Sequence, residues 1–174
     1  VYSLSIFSIA SVISMYGLDK ILIRDYITKS NNSVFFNGIV YRMIMSSLVF
    51  IVFYVLFKLE FLKLDFLTIL FLSLIFFKPF LTIQSLFQAE HKNFYSFIAT
   101  LLSSVLLIII LISTINNLEI LSHVSFYYIF EAFIFSVLLI TFYKIFFNPK
   151  IFIDINYLKG LSIAGLPFLI ANIS

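Results

Sequence analysis

Cysteine and tryptophan are absent from this 174-residue chain, glycine occurs only 4 times and proline 3 times. Without cysteine there is no disulfide framework, no thiolate nucleophile and no cysteine-based metal site. So few glycines leave no glycine-rich phosphate loop. Charge is scarce as well. Only 11% of the residues are Asp, Glu, Lys or Arg, against about 25% in an ordinary soluble domain. The formal net charge of +3 is too small to suggest a nucleic-acid partner.

What is present is hydrocarbon. Hydrophobic residues make up 63% of the chain, phenylalanine alone occurs 24 times, and the mean hydropathy is +1.16. That leaves too little polar surface to cover a soluble core. A water-soluble enzyme, a disordered chain and a disulfide-stapled secreted module are excluded, and the solvent for most of the chain is lipid.

The apolar residues fall into runs at Val1–Ile23, Ile39–Phe57, Phe66–Phe87, Phe94–Ile115 and Val124–Phe147, with a sixth from Gly160 to Ser174. The first five are about 19 to 24 residues long, close to the roughly 20 that cross a 30 Å hydrocarbon layer as helix. They are apolar on every side, unlike the alternating strands of a barrel. The expected fold is therefore all-α, a polytopic transmembrane helix bundle of about six spans. Run one is too long for a signal peptide, and its basic residues follow it rather than lead it. The sixth run stops in mid-span, so the chain reads as an internal piece of a longer polytopic protein.

Loop charges orient the spans. Lys20, Arg24, Lys29, Arg42, Lys92, Lys144, Lys150 and Lys159 gather on one side with Asp19, Asp25, Glu90 and Asp154, a net +4. Lys58 and Lys63 lie on the other with Glu60, Asp65 and Glu119, a net −1. Basic loops mark the cytoplasmic side, so run one exits into the cytoplasm. Tyr127 and Tyr128 fit an interfacial aromatic belt.

Four ionisable residues are candidates for function. Lys78 sits about 18 Å from the outer end of run three, counting 1.5 Å per residue, where a charge costs roughly 2.5–3.5 kcal/mol. An α-helix would align it with Thr82, Ser85, Ala89 and Lys92, and Pro79 would kink that helix and free a carbonyl. Lys78 then lines a water-filled cavity, or else pairs with Glu131 or snorkels outward. Glu131 enters run five from the outer end at about 10 Å and is its candidate charge partner. Arg24 continues a face formed by Ser3, Ala10, Ser14, Gly17 and Ile21, whose small residues suit close helix packing. Arg42 lies at a similar depth on the next helix. Two guanidiniums there suit a phosphate, although ordinary basic flanking of helix ends accounts for them too. His91 and His123 fall on opposite sides, which excludes a shared metal site. Ser96, Thr100 and Ser103 form a packing stripe. No serine has a base at a hydrolytic spacing, so no enzyme and no cofactor are expected.

Gly17-Leu-Asp-Lys-Ile-Leu-Ile-Arg24-Asp-Tyr, followed by Gly38-Ile-Val-Tyr-Arg42, resembles the second and third helices of Wzx-type polysaccharide (O-antigen) flippases. These belong to the multidrug/oligosaccharidyl-lipid/polysaccharide (MOP) exporter superfamily, which is MATE-like in fold. Gln84-Ser-Leu-Phe-Gln88-Ala-Glu-His-Lys92 and Lys159-Gly-Leu-Ser-Ile-Ala-Gly-Leu-Pro167-Phe resemble the stretches after helix four and opening helix seven. The resemblance implies that residues 1–159 are five helices of the N-terminal lobe, lacking helix one, and that 160–174 begin the second lobe. It implies a multi-pass protein of the bacterial inner membrane. Its substrate would be undecaprenyl-diphosphate-linked oligosaccharide, moved by alternating access, with membrane lipid and other polysaccharide-assembly proteins as partners. Arg24, Arg42 and Lys78 would then bind the anionic headgroup in one cavity. A MATE-type drug or cation antiporter, and a polytopic subunit or polymerase without a transport cycle, are the alternatives.

Overall fold

The computed structural model describes residues 2–15, 17–29, 33–60, 66–114, 120–147, 149 and 151–173, and every element among them is helical. In chain order these are α1 (Tyr2–Met15), α2 (Asp19–Lys29), α3 (Ser33–Lys58), α4 (Phe66–Ser73), α5 (Leu81–Ala89), α6 (Asn93–Thr114), α7 (Ile120–Phe147) and α8 (Ile155–Ile173). Two short 3-10 turns, Leu74–Phe76 and Lys78–Phe80, join α4 to α5. Five helical segments are long and apolar enough to cross a membrane: Tyr2–Thr28, Ser33–Lys58, Thr68–Ala89, Asn93–Ile112 and Phe126–Phe147. The sixth run lies in α8, which starts at Ile155, ahead of Gly160. Asp154 sets that start, because its Oδ1 accepts the backbone N–H groups of Asn156 and Tyr157, both at 3.0 Å.

Two of the spans are broken, and both breaks have a covalent cause. In the first, Gly17 takes a left-handed φ of 59° between α1 and α2, a conformation open to glycine at little cost. In the third, Pro79 has no N–H to offer the carbonyl four residues earlier, that of Ile75, and the chain tightens into 3-10 turns. The freed Ile75 carbonyl accepts from Ser46 Oγ at 3.1 Å.

Ser46 belongs to one stripe of α3 that also holds Gly38, Arg42 and Val49, all buried. Residues spaced by three or four share a helix face, so α3 presents this stripe to both broken spans. A Cβ at Gly38 would lie 2.6 Å from Leu22 Cδ1; any larger residue pushes Leu22, wholly buried on α2, out of place. Replacing Ser46 by alanine strands the Ile75 carbonyl. We expect Ser46→Ala to cost about 1–2 kcal/mol in reversible unfolding from mixed micelles; no loss would mean that the carbonyl is otherwise satisfied.

The turn from α5 to α6 closes on His91, whose φ is 56°. Lys92 N–H reaches Phe87 O at 2.7 Å and His91 N–H reaches Gln88 O at 3.2 Å, the paired bonds of a Schellman cap. Two apolar clusters fill the interior. One gathers Leu18, Leu22, Phe35, Phe87, Leu139 and Leu161, and the other Ile6, Ala10, Val49, Leu72 and Ile75.

Contacts agree with the alternation expected from loop charge. Tyr26 Oη donates to Glu90 at 2.6 Å, and Asn37 bonds the 152–154 segment. These bring the basic loops together at one end, while Ser3 and Thr68 meet at 2.9 Å nearer the other.

Candidate functional site

The candidate cations occupy three separate settings. Arg42 is wholly buried. Its Nε donates to the Met15 carbonyl at 3.2 Å, beside the Gly17 break, and its Nη1 donates to Thr82 Oγ1 at 2.7 Å. Nη2 stands 3.0 Å from Asp19 Oδ2 without lining up as a hydrogen bond, so that contact is ionic. Ser85 Oγ donates to the other Asp19 oxygen. Arg42 thus ties α1, α2 and α5 to α3, with Nε and Nη1 donating to the protein and Nη2 held by charge alone.

Arg24 lies outside the bundle. Its side chain is 67% exposed and folds onto its neighbour, with Nε and Nη2 both donating to Asp25 Oδ1 at 3.0 and 2.9 Å. The face read from Ser3 to Arg24 is inward for Ala10, Ser14 and Ile21. Beyond the Gly17 break Ile21 stays inward, but Arg24, one turn further along α2, reaches the surface while Asp25 is buried. Asp25 Oδ2 accepts from Tyr157 Oη at 3.0 Å. Burial, and after it the Asp25 charge, pushes the Tyr157 phenol above its usual range, so it remains a donor. Arg24, Asp25, Asp154, Tyr157 and Gly160 line a cavity of about 410 Å³ at the basic end.

Lys78 lines a different cavity, of about 300 Å³, framed by Phe7 of α1, Thr100 and Ser103 of α6, and Tyr128, Glu131 and Ser136 of α7. Its Nζ sits 5.4 Å from the centre of the Phe7 ring, a cation–π contact. No ion pair among the described residues joins it to a carboxylate. Glu131 Oε1 instead accepts from Ser104 Oγ at 3.2 Å. Lys78 and Glu131 therefore face the same space without closing into a salt bridge.

This arrangement corrects the shared vestibule expected for Arg24, Arg42 and Lys78, because the three do not line one hollow. It also corrects the polar stripe below Lys78. Thr82 and Ser85 turn to the Arg42–Asp19 cluster, and Lys92 lies over the Phe147 ring at 4.6 Å. A 3-10 turn advances about 120° per residue instead of 100°, so three such residues shift the register of all that follows by about 60°. Glu131 is the residue that the structure brings beside Lys78.

Sequence reading missed Asp19, Ser46 and Asn37 as polar anchors. A signal existed for Ser46: Pro79 identifies the Ile75 carbonyl as an orphan, and a hydroxyl one turn beyond Arg42 is on hand. Asn37 Nδ2 donates to Ser33 O at 2.9 Å and Phe152 O at 3.0 Å, while its Oδ1 accepts Asp154 N–H at 2.9 Å. The side chains of Lys29 and His123, and residues Lys63, Asp65, Glu119, Lys150 and Ser174, lie outside the described part.

No family model, no curated protein and no solved structure matches this chain.

Proposed function

We propose that this chain is part of a membrane transporter, and more finely of a flippase for diphosphate-linked oligosaccharide on a polyprenyl carrier. The observation that carries the reading is Lys78, a cation at a helix break inside an apolar span, facing a cavity without an acidic partner in contact. Broken helices around a cavity are the usual means by which transporters present polar groups within a bilayer. Charges at such depth serve a ligand, a partner or a pathway. The diphosphate of a lipid-linked glycan is the anion that the resemblance in residues 17–42, 84–92 and 159–168 supplies.

Arg24 and Arg42 have other parts in this reading. Arg42 holds the two broken spans, and Arg24 stands at the basic mouth. The test is the intact protein in vesicles loaded with a fluorescent polyprenyl-diphosphate oligosaccharide. We expect protein-dependent movement between leaflets, read by quenching from outside; no movement above protein-free vesicles would reject the finer reading. A cation antiporter is the second reading, favoured by Glu131 in the same cavity. It requires cation-driven proton flux in the same vesicles.

A further inference from the structure

A second cavity adjoins the one that holds Lys78. It measures about 370 Å³ and is bounded by Phe77, Ile110, Phe126, Tyr127, Ile129, Phe130 and Phe133. Phe77 borders both spaces, and its ring meets Phe133 edge-on at 6.4 Å. One chamber carries a cation, an anion and several hydroxyls, and the next is almost wholly hydrocarbon. Headgroup beside chain is the layout of a phospholipid.

The charges define the headgroup. Lys78 suits a phosphate, and Glu131 suits an ammonium. Had the two served only each other, they would be in contact, since an uncompensated charge in a span is costly. A ligand that carries both charges satisfies Lys78 and Glu131 at once. The hydroxyls favour an ammonium that can donate. Thr100, Ser103 and Ser136 each give their proton to a carbonyl of their own helix, which leaves oxygen lone pairs as acceptors. At about 300 Å³ the polar chamber is at the small end for ligand sites, enough for a compact headgroup and too small for an oligosaccharide. Access is from the side: Tyr128 in the wall is 50% exposed, and neighbouring Phe130 and Phe133 are 43% and 52% exposed.

We propose that the two chambers together hold one zwitterionic aminophospholipid, with phosphate on Lys78, primary ammonium on Glu131 and an acyl chain along Phe126, Phe130 and Phe133. This does not rest on the flippase reading, since a lipid so bound can serve a transporter of any substrate or a protein that transports nothing.

The test uses the full chain in nanodiscs that contain phosphatidylethanolamine, phosphatidylcholine and phosphatidylglycerol in equal amounts. Lipid that stays with the protein on gentle extraction is counted by native mass spectrometry. Phosphatidylethanolamine is expected to be retained at least about tenfold over phosphatidylcholine, whose quaternary ammonium has no N–H to donate. Glu131→Gln is expected to erase that preference, and Lys78→Gln to lose the lipid. Equal retention of the two zwitterionic lipids, or a preference for phosphatidylglycerol, overturns the proposal without any variant. Free phosphoethanolamine in detergent is the control for a soluble source. Stabilisation by it equal to that by the lipid would overturn the acyl-chain half.

Discussion

Asp19→Ala is expected to destabilise the folded chain by about 3–5 kcal/mol, because it strands a buried guanidinium. Arg42 is wholly enclosed while the Asp19 side chain is 43% exposed, so the two halves of the pair are unequal. Arg42→Met removes the enclosed charge and leaves Asp19 its access to water. It forfeits the bonds to Met15 O and Thr82 Oγ1, at about 1–2 kcal/mol. The double variant should therefore be more stable than Asp19→Ala alone. Reversible unfolding of all four proteins in mixed micelles closes the cycle. Additive losses would show that the ion pair contributes nothing as a pair.

On the flippase reading proposed above, Lys78→Gln in the intact protein is expected to lower glycan delivery to the cell surface at least about tenfold, a loss of about 1.4 kcal/mol in the transport step. The amount of inserted protein should not fall, since Gln removes an unpaired intramembrane charge. Arg24→Gln should change delivery by about twofold or less, because exposed ion pairs are worth little and Arg24 is already folded onto Asp25. Surface labelling of the glycan, normalised to inserted protein, measures both. Equal defects would return Arg24 to the substrate path, and normal delivery with Lys78→Gln would remove Lys78 from it.

The spans were legible because a bilayer demands about 20 apolar residues in a row, and little else reads that way. Pro79 announced its break through missing chemistry, an N–H that does not exist. Gly17 was read as a small packing residue, and the sequence alone does not say which glycine in an apolar helix will adopt a positive φ. Arg42 resembled an ordinary basic flank because its burial depends on Met15, Asp19 and Thr82, which are 23 to 40 positions away in the chain. The Lys78–Glu131 cavity was half visible: depth placed both residues in the membrane, but only packing placed them around one space and kept them apart.

Asn37, Arg42 and Ser46 stand on successive turns of a single rigid rod. Through them α3 is fastened to the 152–154 connection, to the elbow at Gly17 and to the elbow at Pro79. A tilt of that rod cannot loosen one joint and spare the others. A push on the 152–154 connection would pass through the Asn37 rivet, along α3, and bend both elbows in the same stroke, which makes α3 the crankshaft of the linkage.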